Sequence, residues 1–462
     1  MDDFDVVVVG GGPAGENVAG RCADGGLRVA LVEHELVGGE CSFWGCVPSK
    51  TLIRPGDALA STRRVPGASA AVTGRIDVTA ALAWRDEMTG GWDDAGALPW
   101  LDEKRITLIR GKGRLSAERE VEVETADGTL RLRADRAVVL AVGTRPFLPP
   151  VDGLRDLPPW DNRAATSAKE VPRRLLVLGG GAVGVELAQA FRRLGSDEVT
   201  VVEGQEHLLA REEPFAGDEV RTAFEAEGIT VLTGALLTRV RRRGVDGPVV
   251  ATLEDGRTLE GDELLAAVGR RPATDDLGLA AIGLEPGRYV EVDDTLRATG
   301  VAGGWLYAVG DCNGRALLTH MGKYQARIAA DVIRGLDISD RASAQAVPRV
   351  TFTDPQVCAV GLTETEARER GIAVRAATYD LGAVAGAYVH GRGIHGTAKI
   401  VVDEPRGVIV GATFTGPDVQ ELLHSATVAV VGQVPLTTLW HAVPSFPTVS
   451  EVWLRLLEDY GI

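Results

Sequence analysis

Apolar residues fall along this chain in two regimes. Runs that are apolar almost throughout, Val6-Val7-Val8-Val9, Val29-Ala30-Leu31-Val32, Leu175-Leu176-Val177-Leu178 and Val199-Thr200-Val201-Val202, read as strands covered on both faces, the pattern of a parallel sheet. Between the first two lie Gly10-Gly11-Gly12-Pro13-Ala14-Gly15 and a helical stretch through Val18, Ala19 and Cys22 that stops at Gly25-Gly26. Between the last two lie Gly179-Gly180-Gly181-Ala182-Val183-Gly184 and a helix running to Leu194-Gly195. Each is a complete strand, glycine turn, helix and strand. The second regime is alternation, as in Val121-Glu122-Val123-Glu124, and with Val249 to Leu253 it predicts antiparallel strands. Two further apolar strands are expected to run to Gly143 and Gly269, each followed by Arg-Pro, at Arg145-Pro146 and Arg271-Pro272, where the chain changes domain. A third, Leu306 to Val309, runs into Gly310-Asp311, and from Pro348 onward the βαβ pattern is gone; a last helix is expected around Ser450 to Leu457. The fold class that follows is α/β, with two Rossmann-like dinucleotide-binding domains and a C-terminal α+β domain.

Length agrees, since 462 residues at roughly 150 per domain give about three domains. The formal charge of −16 repels polyanions, so nucleic acid and anionic membrane surfaces are excluded as main partners. No run approaches the ~18 apolar residues of a membrane span, and no signal-peptide layout opens the chain, so a cytoplasmic protein is expected. Five cysteines are too few, and odd in number, for a secreted disulfide framework.

The glycine turns are the first candidate chemistry. Gly10, Gly12 and Gly15, and again Gly179, Gly181 and Gly184, open a helix whose amide end can hold a pyrophosphate. Glu33 and Glu203 stand at the end of the following strand, where a carboxylate binds ribose hydroxyls. Glu203 would repel a 2′-phosphate, which favours NADH over NADPH, although Arg211 is a nearby countercharge. Gly143 and Gly269 join the cofactor-facing residues.

The second candidate is Gly38 to Lys50. Five residues along a regular helix separate Cα atoms by ~8.6 Å, beyond the ~7 Å reach of a disulfide, so a Cys41–Cys46 bridge demands a distorted turn. Gly38, Gly39 and Gly45 make one feasible, and a bridge formed there would be of the redox-cycling kind; the other reading is a pair of core thiols, as expected for Cys22, Cys312 and Cys358. Lys50 is a point cation able to stabilise a thiolate nearby. His390 and His395 have no third ligand near in sequence, and no metal is expected.

Together these residues resemble the FAD-dependent pyridine nucleotide disulfide oxidoreductases, the family of dihydrolipoyl dehydrogenase, glutathione reductase and mercuric reductase, over nearly the whole chain. The resemblance implies an FAD domain over 1–147 and 275–345, an NAD(P) domain over 148–274, and a dimerisation domain over 346–462, hence a homodimer. It implies that Cys46 faces the flavin and Cys41 exchanges with substrate. Lys50 then lies beside the flavin, Glu186 is its partner at the nicotinamide pocket, and Asp311 binds the ribityl hydroxyls. One departure stands out: Phe446 occupies the place of the family's catalytic histidine, while Glu451 keeps that of the glutamate five residues on. A positioned acid and base contributes ~10² to 10⁴ in rate, so exchange with lipoamide or glutathione is expected to be crippled; His441 lies five residues too early and substitutes only through a shifted loop. Mercury reduction is disfavoured because the C-terminal segment lacks a cysteine pair. Phe43 and Trp44, with Phe446, either line a water-poor pocket near Cys41 or pack as core. The expected function is transfer of two electrons from NAD(P)H, NADH favoured, through FAD and Cys41–Cys46 to a small or apolar disulfide. Alternatives are a quinone or metal ion reduced from the flavin directly, a dihydrolipoyl dehydrogenase, and a flavin-binding redox sensor.

Overall fold

The computed structural model describes residues 2–244 and 247–462. The chain divides into two compact units, one of Met1–Pro48, Asp86–Phe147 and Arg270–Ala344, the other of Ser49–Arg85, Leu148–Gly269 and Gln345–Ile462.

The first unit is built on a seven-stranded sheet. Thr107–Arg110, Val29–Glu33, Asp2–Val9 and the second half of Gly128–Leu140 run parallel, with Leu306–Ala308 parallel on the far side of Gly128–Leu140. The apolar runs are continuous because both faces are covered. Val6, Val8 and Leu31 enter one core with Val18, Ala19 and Cys22 of the helix Pro13–Asp24. Val7, Val9, Ala30 and Val32 enter another with Leu132, Leu140 and Trp305. The 13-residue strand Gly128–Leu140 changes role midway: its first half pairs antiparallel with Glu120–Thr125, which pairs with Lys112–Ala117.

In the second unit Ile229–Leu232, Glu198–Val202, Arg174–Leu178 and Glu263–Ala266 form a parallel sheet in that order, with the helix Ala182–Leu194 on one face. Leu237–Arg242, Val249–Leu253 and Thr258–Gly261 form an antiparallel ribbon. The C-terminal region is a five-stranded antiparallel sheet, from Arg349–Thr351 to Val374–Asp380, covered by Val419–Val431 and Val452–Tyr460.

Two expectations change in detail. The strands thought to run to Gly143 and Gly269 end at Leu140 and Ala266, short of glycines that have positive φ, +67° and +135°. The Arg-Pro segments do more than exit: Thr144–Pro146 and Arg270–Pro272 pair with one another as an antiparallel ladder. Among the described residues no helix is long and apolar enough to cross a membrane.

Candidate functional site

In the first unit the glycine turn is shaped by the backbone. Gly10 has φ +106°, and a Cβ there would lie 2.5 Å from the Ala141 carbonyl oxygen; a Cβ on Gly15 would lie 1.8 Å from that of Gly10. Both must be glycine for helix and strand to approach. Gly12 is different, since a Cβ there would meet nothing within 4 Å. It caps the helix Pro13–Asp24, and its position offers no side chain to bond the first amides, leaving an open, amide-lined cradle suited to a diphosphate. Glu33 rims it. Its Oε2 accepts from the Gly11 amide at 2.6 Å and its Oε1 from the Glu35 amide at 2.7 Å. Burial alone would raise its pKa, but hydrogen bonds from His34 and these two amides hold it below the ordinary value, so it is a carboxylate at neutral pH. Asp311 follows the strand Leu306–Ala308 and accepts from Thr144 Oγ1 at 2.8 Å. Burial raises its pKa, against the pull of that hydroxyl and of Arg270. Arg270 in turn donates through Nε to Thr144 Oγ1 at 2.7 Å and lies 3.5 Å from Glu40.

The cysteines sit on a distorted turn of the kind that a bridge between them would require. Gly38, at φ +112°, starts a five-residue helix, Gly39–Phe43, that breaks at Trp44, and a new helix begins at Cys46. A Cβ on Gly39 would lie 2.8 Å from Gly12 Cα, so the turn packs directly on the cradle. The two sulfurs are 2.6 Å apart as thiols, and Cys46 Sγ lies 3.3 Å from Thr319 Oγ1. Cys46 is exposed and Cys41 half-buried. The bond to Cys46 and then burial push the Cys41 thiol well above the ordinary thiol range. Cys22 and Cys312 are buried in the core, Cys312 with its pKa pushed up to about 12 by burial. Phe43 is core, while Trp44 is half-buried.

The second unit repeats the plan. Gly179 has φ +107°, and a Cβ there would lie 2.5 Å from the Ala267 carbonyl oxygen; Gly184 would place one 2.0 Å from the Gly179 oxygen, and Gly181 faces open space. Glu203 accepts from the amides of Gly180 at 2.5 Å and Gln205 at 2.7 Å. On the helix behind this turn, Glu186 Oε2 accepts from Lys50 Nζ at 2.6 Å and Oε1 from the Phe352 amide at 2.9 Å. Lys50 Nζ stands 4.7 Å from the Phe352 ring centroid, close enough for a cation–π attraction. Glu451 is buried, with Oε1 on Arg455 at 2.7 Å and Oε2 on the Ala385 amide at 3.3 Å. Phe446, 75% exposed, projects from the surface, and His441 is exposed too; neither sits in the core. His390 Nδ1 pairs with Asp418 at 3.5 Å.

Sequence reasoning missed Thr144, Arg270 and Thr319. Thr144 and Arg270 hold equivalent places, each between a strand-ending glycine and an Arg-Pro pair, but only the glycine and the Arg-Pro carry a signal; Thr319 lies in no motif.

The sequence pattern of the pyridine nucleotide-disulphide oxidoreductases matches residues 4–330, and that of their dimerisation domain matches 347–456. The chain is 35% identical to a mercuric reductase of Shigella flexneri, covering 97% of this chain and 78% of that one. It is 32% identical to a dihydrolipoyl dehydrogenase of Chlorobaculum tepidum, covering 97% and 95%. Among solved structures, the Cu(II) complex of the HOCl-induced flavoprotein disulfide reductase RclA from Escherichia coli superposes with a TM-score of 0.86 at 27% identity, covering 99% of both chains. LpdA from Mycobacterium tuberculosis gives 0.85 at 28%, covering both chains completely. With two open glycine cradles, each rimmed by a glutamate, and a cysteine pair packed against the first, the chain belongs to the pyridine nucleotide-disulphide oxidoreductases, enzymes that use FAD and a pyridine nucleotide.

Proposed function

We propose that this enzyme is a cytoplasmic homodimer that takes a hydride from NADH and delivers two electrons through Cys41 and Cys46 to a small or apolar disulfide. The observation that carries this reading is the sulfur pair, 2.6 Å apart on a broken helix with Cys46 exposed. In this assignment residues 1–147 and 275–345 hold FAD, 148–274 hold the pyridine nucleotide, and 346–462 pair the two copies. The first cradle fits FAD: Gly10, Gly12 and Gly15 admit the diphosphate, Glu33 takes the ribose and Asp311 the ribityl chain, with Gly143 leaving room beside it. The second, with Gly179, Gly181, Gly184 and Gly269, takes the pyridine nucleotide.

Bound FAD supplies the relay between nicotinamide and sulfur. The chain's own residues do the rest. Glu203, with both oxygens engaged by amides, is a fixed negative charge at the ribose edge and repels a 2′-phosphate, which favours NADH. Lys50, neutralised by Glu186, offers a cation at the start of the helix that carries Cys46. Cys46 presents its exposed sulfur to the flavin side, and Cys41 attacks the acceptor disulfide. Its raised pKa makes it a weak nucleophile until a base takes its proton. Phe446 supplies no such base, and Glu451 is already committed to Arg455 and Ala385. This opposes dihydrolipoyl dehydrogenase activity and favours an acceptor that arrives with a good leaving thiol.

The test is Cys41→Ser in the holoenzyme. NADH-driven disulfide reduction is expected to vanish, and parental rates in the variant would refute the relay. Quinone reduction that survives in the same variant would assign the acceptor to direct transfer from flavin, the second reading. An anaerobic NADH titration adds the spectroscopic arm: a long-wavelength band after two electrons is expected if Cys46 communicates with FAD.

A further inference from the structure

A short loop between the helices Val78–Met88 and Leu98–Lys104 belongs to neither glycine fold, yet it holds the cysteine turn at both ends. Trp92 Nε1 donates to the Phe43 carbonyl oxygen at 3.0 Å, at the break between Cys41 and Cys46. Asp94 Oδ2 accepts from the Val37 amide at 2.6 Å, just before the turn begins, and is itself anchored by Arg110 Nη2 at 2.6 Å. The loop reaches this position through three successive left-handed residues, Gly90, Gly91 and Trp92, with φ of +58°, +66° and +60°. The first two are glycine, for which this is free. Trp92 is not, and a bulky residue held left-handed is strained, so the surrounding contacts must hold it there. The indole bond to Phe43 ties that strained residue to the cysteine turn. Strain retained beside a reactive pair is the pattern of a positioning device.

We infer that Trp92 and Asp94 are positioning residues that brace the Phe43 carbonyl and the Val37 amide and so keep the two sulfurs within bonding distance. This rests on the redox reading of the cysteine pair given above. A regular helix would hold Cys41 and Cys46 too far apart to bond, so the disulfide requires the broken turn, whereas the dithiol tolerates its relaxation. Loss of the brace therefore acts mainly on the disulfide form and moves the equilibrium toward the dithiol. In the exchange that reads this, Cys41 and Cys46 lose two protons and two electrons as their S–S bond forms. The S–S bond of glutathione disulfide breaks and yields two glutathione thiols.

The experiment equilibrates the FAD-loaded enzyme in glutathione redox buffers, with trapped thiols counted by mass, for the parent, Trp92→Phe and Trp92→Gly. Trp92→Phe keeps an aromatic ring and removes the N–H; Trp92→Gly removes the strain as well and suits a left-handed position. Both are expected to lower the equilibrium constant for disulfide formation about 2- to 10-fold, the range of one net hydrogen bond, equivalent to at most about 30 mV for a two-electron couple. Flavin content and melting temperature are expected to hold in Trp92→Gly. If the parent titrates and both variants follow its curve, the brace is wrong. If the parent forms no Cys41–Cys46 disulfide at any buffer ratio, the redox reading itself falls first.

Discussion

The two glycine turns follow one stereochemical plan. Their first glycines nearly coincide in φ, at +106° and +107°, and a Cβ on either third glycine would fall 1.8 or 2.0 Å from a carbonyl oxygen. The glutamate at the end of the next strand caps the turn through two amides in both. They part on the helix that follows. After Gly15 come Glu16 and Asn17; after Gly184 come Val185 and Glu186. Asn17 bonds back to the Pro13 carbonyl of its own first turn, whereas Glu186 reaches outward to Lys50 and the Phe352 amide. Backbone sterics fix what a dinucleotide cradle must share, and the second residue past the last glycine is where one copy turns to other work.

The comparison is best broken at its common element. Gly15→Ala and Gly184→Ala each force a methyl into a carbonyl oxygen, and overpacking of this kind costs about 1–3 kcal/mol or more. Gly15→Ala is expected to abolish FAD retention, read from the visible spectrum after desalting. Gly184→Ala should keep the flavin and lose NADH reduction. Identical losses in both would show that the copies are not divided between the two cofactors.

The outward-reaching residue comes next. Lys50→Met takes the ammonium partner from the buried Glu186 carboxylate, and an unsatisfied buried acceptor costs about 1–3 kcal/mol. The melting temperature should fall and recover in Lys50→Met with Glu186→Gln, whereas Asn17→Ala in the first copy should change it little. A single-variant Tm equal to the parent's would contradict this.

Glu203→Ala removes the carboxylate that caps the second glycine turn and is proposed above to meet the ribose. Charged hydrogen bonds contribute about 1.5–3 kcal/mol, so preference for NADH over NADPH, read as the kcat/KM ratio, should fall by roughly 10-fold or more. Glu33→Ala should leave that ratio unmoved and loosen the flavin.

A contrast that depends on pH belongs to Glu16, whose pKa burial raises to about 7, with Lys323 opposing and Glu33 adding. A folded pKa above the unfolded one means that the folded state holds the proton longer, so stability declines as pH rises from about 4.5 to about 7 and then levels. Glu16→Gln should flatten that slope in thermal melts, and Val185, in the same place in the second copy, predicts no counterpart.

Much of this was legible in the sequence because it rests on local rules. The runs Val6–Val9 and Leu175–Leu178 are apolar at every position since alternate residues feed opposite cores, and next to Gly-x-Gly-x-x-Gly that pattern points to a strand, turn and helix. The distorted turn at Cys41 and Cys46 followed from helix geometry once a bridge between them was assumed. The pairing of Lys50 with Glu186, 136 residues apart, came only from resemblance, because a long-range ion pair leaves no spacing to read. Trp92 was invisible for a further reason: it holds the carbonyl of Phe43, and a contact to main chain places no demand on the identity of its partner.

The strand Gly128–Leu140 sets two tolerance regimes within one element. Along its first half Arg131, Arg133 and Asp135 face water while Leu132 and Ala134 do not; from Ala137 to Leu140 nothing does. A saturation scan across it should therefore show sensitivity with a period of two as far as Asp135, a tolerant Arg136, and uniform sensitivity from Ala137 onward, so the point where the antiparallel ribbon becomes a fully covered strand can be found by genetics alone.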